Sequence, residues 1–268
     1  MRKTATDSSD KSQLQDTQAQ QDERGVHIDK VGVRGMQFPI QVPQSDGNTL
    51  GTVANVGLFV DLPKEVRGTH MSRFVEIMKD QTDGLDTTKI TEILKQLQQK
   101  LHARTAHLEI EFPFFITKKA PVSGIESPMD YKVRYVASAI DDEIDIITSV
   151  AAHVTTLCPC SKAISQYGAH NQRGEVTLQV RSRSAVTLEE LISVMEKSAS
   201  SELYALLKRP DEKAVTERAY ENPVFVEDLV RNVAVRLRDL TQIIWYQVEA
   251  ENFESIHSHN AYACVQSG

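Results

Sequence analysis

Two thiols, an imidazole, a lysine and an arginine fall within one short run of this chain: Cys158, Cys160, Lys162, His170 and Arg173. Thiolate and imidazole are soft and borderline ligands, so together they select a transition metal over magnesium or calcium. The chain has three cysteines, and two of them lie in this run. Read alone, Cys158 and Cys160 are equally well two buried cysteines at a strand end, because free cysteine is among the most buried residue types. A Cys-x-Cys redox pair is a third reading, although no thioredoxin-like Cys-x-x-Cys occurs. His170 tips the balance toward a metal or catalytic role, since a loop returning through Gly168 can bring an imidazole beside the first thiol.

A second polar cluster runs Glu254-Ser255-Ile256-His257-Ser258-His259-Asn260. Glu and His three apart share one face of a helical turn, which suits two ligands of one ion. Judged by itself, the cluster is a solvated loop between the last two strands. Glu212 reads as an ordinary surface charge. Glu227 reads as half of an i, i+4 pair with Arg231, worth only about 0.2–0.5 kcal/mol.

The elements that must hold these residues follow from periodicity. Runs 31–42 and 50–62 are apolar and β-branched, with a Pro-, Gly- and Asn-containing turn between them, and predict two strands. Helical spacing follows over 70–79 and 87–104, then strands over 106–117 and 129–140. The order repeats: strands 143–157 and 174–183, helices 187–207 and 223–240, strands 242–250 and 261–266. Asn222 is expected to cap the helix beginning at Pro223. Each half thus reads strand–strand–helix–helix–strand–strand. The pattern predicts an α+β protein of antiparallel sheets backed by helices, divided into 25–142 and 143–268. Residues 1–24 are rich in Gln, Asp, Ser and Thr and predict a disordered tail.

Composition narrows the function. The net charge of −7 and pI near 5.7 give no global basic footprint for nucleic acid. No apolar run reaches the roughly 20 residues of a membrane span, and the polar N-terminus does not resemble a secretory signal. The cytoplasm is the expected compartment, with no disulfide framework. An anionic substrate would need local cations, and Lys162, Arg173, Arg181 and Arg183 are the candidates.

Several longer motifs occur in order: Leu157-Cys158-Pro159-Cys160-Ser161-Lys162, the 166–173 segment, Asn222-Pro223 leading to Phe225-Val226-Glu227-Asp228, and Asn252-Phe253-Glu254-Ser255-Ile256-His257. In these, the chain from Gly25 onward resembles type IB GTP cyclohydrolase. The resemblance implies two tandem tunnelling-fold units, sheets joined between subunits into a barrel, and a homo-oligomer, typically a homotetramer. It implies hydrolysis of GTP to 7,8-dihydroneopterin triphosphate and formate, the first step toward tetrahydrofolate. By the same resemblance, Cys158 is a metal ligand, with Glu212, Glu254 and His257 as further ligands or near neighbours. His170 is the general acid/base, and Glu227 anchors the guanine. Cys160 falls behind the ligands, and Lys162 and Arg173 are candidates for the triphosphate. A mixed thiolate, carboxylate and imidazole set suits zinc, manganese or iron(II). Two other readings stand beside this one: a nitrile reductase of the same fold, and a non-catalytic protein with a structural Cys/His zinc site.

Overall fold

The computed structural model describes residues 16–18, 20–81 and 83–267. Among the described residues, nine strands form one antiparallel sheet. In the first half β1 (Ile28–Pro43) and β2 (Thr49–Leu62) form a hairpin, followed by helices α1 (Met71–Lys79) and α2 (Thr87–Leu101), then the hairpin of β3 (Thr105–Lys119) and β4 (Glu126–Ile140). The second half opens with β5 (Glu143–Leu157), a short helix α3 (Pro159–Ile164) and β6 (Asn171–Ser182). It continues through α4 (Leu188–Glu196), β7 (Ser201–Glu202), α5 (Arg209–Glu221) and α6 (Val226–Leu237), and closes with β8 (Ile243–Asn252) and β9 (Ala261–Gln266). The strands are ordered β1-β2-β3-β4-β5-β6-β8-β9, with β7 pairing on β5.

Alternation along the strands decides which face the helices cover. In β3, Ala106, Leu108, Ile110, Phe112 and Phe114 are buried, while His107, Glu109 and Glu111 point the other way. In β5, Val150, Ala152 and Val154 continue the buried row. Onto it pack the apolar stripes of α2 (Ile90, Ile93, Leu94, Leu97) and α6 (Leu229, Val230, Val233, Leu237), giving one core across both halves. The opposite face is polar and carries ion pairs such as Arg134–Glu109 and Lys132–Glu111.

The expected division at Asp141-Asp142 falls in the β4–β5 hairpin, where Asp141 takes a left-handed φ of 52° and pairs with Arg104. The sheet runs straight through it. Two polar clusters also tie the halves together. Lys118 of β3 lies 2.8 Å from Glu196 of α4 and 2.7 Å from Glu202 of β7, and Tyr131 donates to Glu196. Burial pushes the Glu196 carboxyl up despite the ammonium beside it. At Glu202 burial acts in the same direction, but hydrogen bonds from Lys118 and Tyr204 outweigh it and hold the carboxyl low. The second cluster is Asp211 of α5, fully buried, which accepts from the amides of Val122, Ser123 and Lys208 and from the Ser123 hydroxyl. Burial opposes its ionisation, yet those four donors keep the carboxyl well below the ordinary range.

Three sequence expectations change. Helix 187–207 stops at Glu196, and β7 follows within the span expected to be helical. The stretch around Glu212, to which the sequence reading gave no element, is α5, whose inner face buries only Asp211 and Ala219 and so left no apolar periodicity to read. Asn222 therefore ends α5 instead of starting the next helix, and its amide donates to the Ala199 carbonyl at 2.9 Å. Helix α6 begins at Val226, where the Phe225 amide is met by the Asp228 carboxylate. Residues 1–15 and 19 of the expected tail lie outside the described residues. Its remainder is tied to the body, with Gln18, Gln20 and Asp22 bonded to the backbone of 65–68 and Asp16 beside His70.

Candidate active site

Every sequence-predicted site residue is in the second half, and the backbone draws most of them to one end of β5 and β6. β5 ends at Leu157. Cys158 then leaves the sheet as the N-cap of α3, where its thiol accepts the Ser161 amide at 3.4 Å and Pro159 takes the first helical position. The loop returns so that the Cys158 amide donates to the His170 carbonyl at 3.1 Å, and the Ser161 hydroxyl accepts from the His170 amide at 3.2 Å. Gly168, at φ 120°, makes the return possible. Cys158 and His170 are both half-buried, while Cys160 is exposed on α3. The reading of two buried cysteines therefore fails.

The other segments arrive around this pair. The Val224 amide donates to the Leu157 carbonyl at 3.1 Å, which pins the start of α6, with Glu227 in its first turn, next to the end of β5. Arg231 pairs with Asp228 at 3.5 Å, not with Glu227. Glu227 is exposed and has no side-chain partner among the described residues, so the ion-pair reading is set aside. The loop 253–260 is fixed at its base by the Phe253 amide bonding to the Arg173 carbonyl at 2.9 Å. From it Ser255 reaches His170, with Oγ 3.3 Å from Nδ1. Glu254 and His257 ride on the same loop, His257 stacked on His259 with ring centroids 5.2 Å apart.

Glu212 is exposed on α5, one residue after the buried Asp211 that anchors that helix. Lys162 donates to the Tyr220 carbonyl at the end of α5 and sits over the Tyr220 ring, 4.4 Å from its centroid. It thus joins α3 to α5, whereas the Arg173 side chain is exposed and unpaired among the described residues.

The donor types suit a transition ion, and an amide N–H aimed at the Cys158 sulfur marks that side chain as an acceptor site. Among the described residues, however, no three His, Cys, Asp or Glu side chains of one chain gather closely enough to hold an ion. Two clefts lie away from the site. One of about 550 Å³ is lined by Asn222, Asn232 and Arg236, and one of about 490 Å³ by Thr87, Arg181 and Arg183. Neither includes Cys158 or His170. Large apolar side chains stand exposed around the site, with Tyr167 at 98%, Ile164 at 85% and Ile256 at 64%.

Residues missed from sequence are Gln172, Ser161 and Ser255, which contact His170 directly. Gln172 gave no strand signal, because β6 was expected to begin only at 174 and begins at Asn171.

A sheet of sequential antiparallel strands with helices on one face defines the tunnelling fold. Solved structures of urate oxidase from Bacillus sp. TB-90 superpose on it. A hyperthermostable mutant gives a TM-score of 0.53 at 9% identity, covering 90% of this chain and 98% of that one. A chloride-free form gives 0.52 at 8%, covering 90% and 99%. Such low identity carries the fold alone. The description "Type I GTP cyclohydrolase folE2" matches residues 14–263. Proteins named GTP cyclohydrolase FolE2 from Akkermansia muciniphila and Nitrosococcus oceani are 54% and 49% identical, over 95% and 94% of this chain and 97% and 95% of theirs. A third, from Fervidobacterium nodosum, is 48% identical over 95% of this chain and 97% of its own. The chain belongs to the type I GTP cyclohydrolase folE2 family.

Proposed function

We infer that this chain is a GTP cyclohydrolase of folate biosynthesis, and that it works at the end of β5 and β6. The reaction is the hydrolysis of GTP to 7,8-dihydroneopterin triphosphate and formate. The observation that carries the site assignment is the backbone closure that seats His170 on Cys158 while the 253–260 loop touches the imidazole.

His170 is the acid/base: an imidazole can take a proton from attacking water and return one to a purine nitrogen as the five-membered ring opens. Glu227, exposed and unpaired at the first turn of α6, accepts from the guanine N1–H and 2-amino group. Adenine presents no such donor pair, and a site built on paired hydrogen bonds rejects a base that leaves its acceptor unmet. Arg173 is the better placed cation for the triphosphate, because Lys162 is engaged at the end of α5.

Cys158 would hold the divalent ion, with Glu212, Glu254 and His257 as further donors. Zinc, manganese and iron(II) all suit that set. Such an ion, when bound, lowers the pKa of water and so supplies a nucleophile near neutral pH. The exposed apolar ring around the site supports a homo-oligomer, a homotetramer in this reading, in which a second copy covers the site. We place the enzyme in the cytoplasm and take 25–142 and 143–268 as its two units.

The test is incubation of the purified chain with GTP and each divalent ion in turn, reading formate and, after oxidation, a fluorescent pterin. Cys158→Ala and His170→Ala must abolish both signals with the circular dichroism spectrum intact. A folded, metal-loaded protein that leaves GTP untouched under every ion overturns the assignment and returns the structural-zinc reading.

A further inference from the structure

His170 immediately precedes β6 and Gln172 is the second residue of that strand, and their side chains meet. Gln172 is 8% exposed, and its amide is held at both ends. Its Nε2 donates to Thr156 Oγ1 at 3.0 Å, and Thr156 is fully buried as the cross-strand partner of Gln172 on β5. Its Oε1 lies 3.0 Å from His170 Nδ1. An amide oxygen only accepts, so the nitrogen facing it must carry the hydrogen. Ser255 Oγ, at 3.3 Å from the same nitrogen, is the longer contact. No hydrogen-bond partner reaches His170 Nε2 among the described residues.

We propose that Gln172 is a positioning residue of the reaction: anchored on Thr156, it fixes His170 as the tautomer with hydrogen on Nδ1, leaving the Nε2 lone pair open toward substrate. The which-nitrogen question is decided by the hydrogen bond the other nitrogen makes. With the amide reversed, its N–H₂ and the Ser255 hydroxyl would face one Nδ1 lone pair, and an N–H would point outward. Abstraction of a water proton needs a lone pair there. During turnover Nε2 gains that proton and later gives it up, while Nδ1–H stays on the Gln172 oxygen. Buried polar side chains satisfied in this way hold a single orientation, because leaving either end unpaired carries a desolvation penalty.

This inference rests on the reading of His170 as the acid/base, and two measurements separate them. The first is the long-range ¹H–¹⁵N spectrum of the full chain, labelled at histidine nitrogen, loaded with Zn²⁺ and held at pH 8 without GTP. The His170 signal is assigned by its loss in His170→Ala. Nδ1 must show the shift of a protonated nitrogen; a protonated Nε2 or a mixture of tautomers overturns the proposal. The second is steady-state kinetics. Gln172→Leu is expected to lower kcat by about 10- to 100-fold with KM for GTP nearly unchanged. Gln172→Glu, which keeps an acceptor facing Nδ1, is expected to recover much of that loss. Equal losses in the two variants, or a loss confined to KM, count against the proposal. Should Gln172→Leu fail to fold, the wild-type spectrum decides alone. Wild-type turnover in His170→Ala would instead sink the acid/base reading, whatever the tautomer.

Discussion

In the first half of the molecule β1 turns into β2 through 44–48, and β3 into β4 through 120–125. In the second half β5 reaches β6 only after 158–170, with a helix inside, and β8 reaches β9 after 253–260. The helices are joined by 80–86 in the first half and by 197–225, containing β7 and α5, in the second. The halves therefore share an order of elements and differ in the connections. Those connections hold Cys158, Lys162, His170, Glu212, Glu254 and His257, with Arg173 and Glu227 one turn or less beyond them. Two halves of one sheet, similar in build, teach that the framework sets where loops can meet, while the loops decide which half gathers the candidate site residues.

The largest expected effect breaks the comparison at its active end. His170→Ala and Cys158→Ala should each lower kcat by about 10³-fold or more, at unchanged secondary structure, because each removes a group that no neighbour replaces. Next comes the joint between the halves. Lys118→Met strips the cation from Glu196, nearly as buried as the lysine, and from the half-buried Glu202. Breaking such a cluster on one side costs about 3–5 kcal/mol, to be read as a lower denaturation midpoint. Pairing that change with Glu196→Gln should return part of the loss. A third effect concerns the purine: Glu227→Ala should reduce kcat/KM for GTP by about a hundredfold, as expected for lost hydrogen bonds to a charged acceptor. An unchanged kcat/KM would remove Glu227 from guanine recognition.

Acid provides a smaller and more selective test. Asp211 has a folded-state pKa below its unfolded value, so its contribution to stability is present above about pH 4 and is lost as pH falls through the lowered folded value. Acid titration of wild-type stability should therefore show proton uptake on unfolding that is greater by about one proton than in Asp211→Asn. Equal uptake in the two proteins would show that the four donors do not hold the carboxylate ionised.

How much of this was open to sequence reading follows from what each element buries. Strands β2, β3, β4 and β5 and helices α2 and α6 bury regular apolar rows, and periodicity finds them to within a few residues. Helix α5 buries a carboxylate and an alanine, so its signal was polar and no element was read there. Missing it moved Asn222 from the end of one helix to the start of the next. At the candidate site, thiols and imidazoles announce themselves by type, so Cys158 and His170, whose backbones the fold brings together, were picked out as candidates. Gln172 and Ser255 act through placement, and an amide or hydroxyl has no distinctive sequence signal until the fold puts it beside an imidazole. Lys162 shows a related gap: its positive charge suggested phosphate, and nothing local revealed that it also donates to the Tyr220 carbonyl at the end of α5.

The sharpest form of the comparison uses two glycines that are alike in strain. Gly47 in the β1–β2 turn has φ 85° and Gly168 in the β5–β6 connection has φ 120°, and a Cβ at either would meet nothing within 4 Å. Alanine at each position thus adds only backbone strain, about 1–2 kcal/mol, with no clash. Stability should fall by a similar, modest amount in Gly47→Ala and Gly168→Ala. Activity should not follow stability. The turn at Gly47 bonds to Glu189 and to the Phe115 carbonyl but touches no candidate site residue, so kcat should stay at the wild-type value. Gly168 is two residues before His170, whose carbonyl closes on Cys158 and whose ring meets Gln172, so its relaxation moves the imidazole and kcat should drop. Equal kcat in the two variants would mean that the longer connection tolerates the same distortion as a simple turn, and the division of labour between the halves would have to be sought outside their loops.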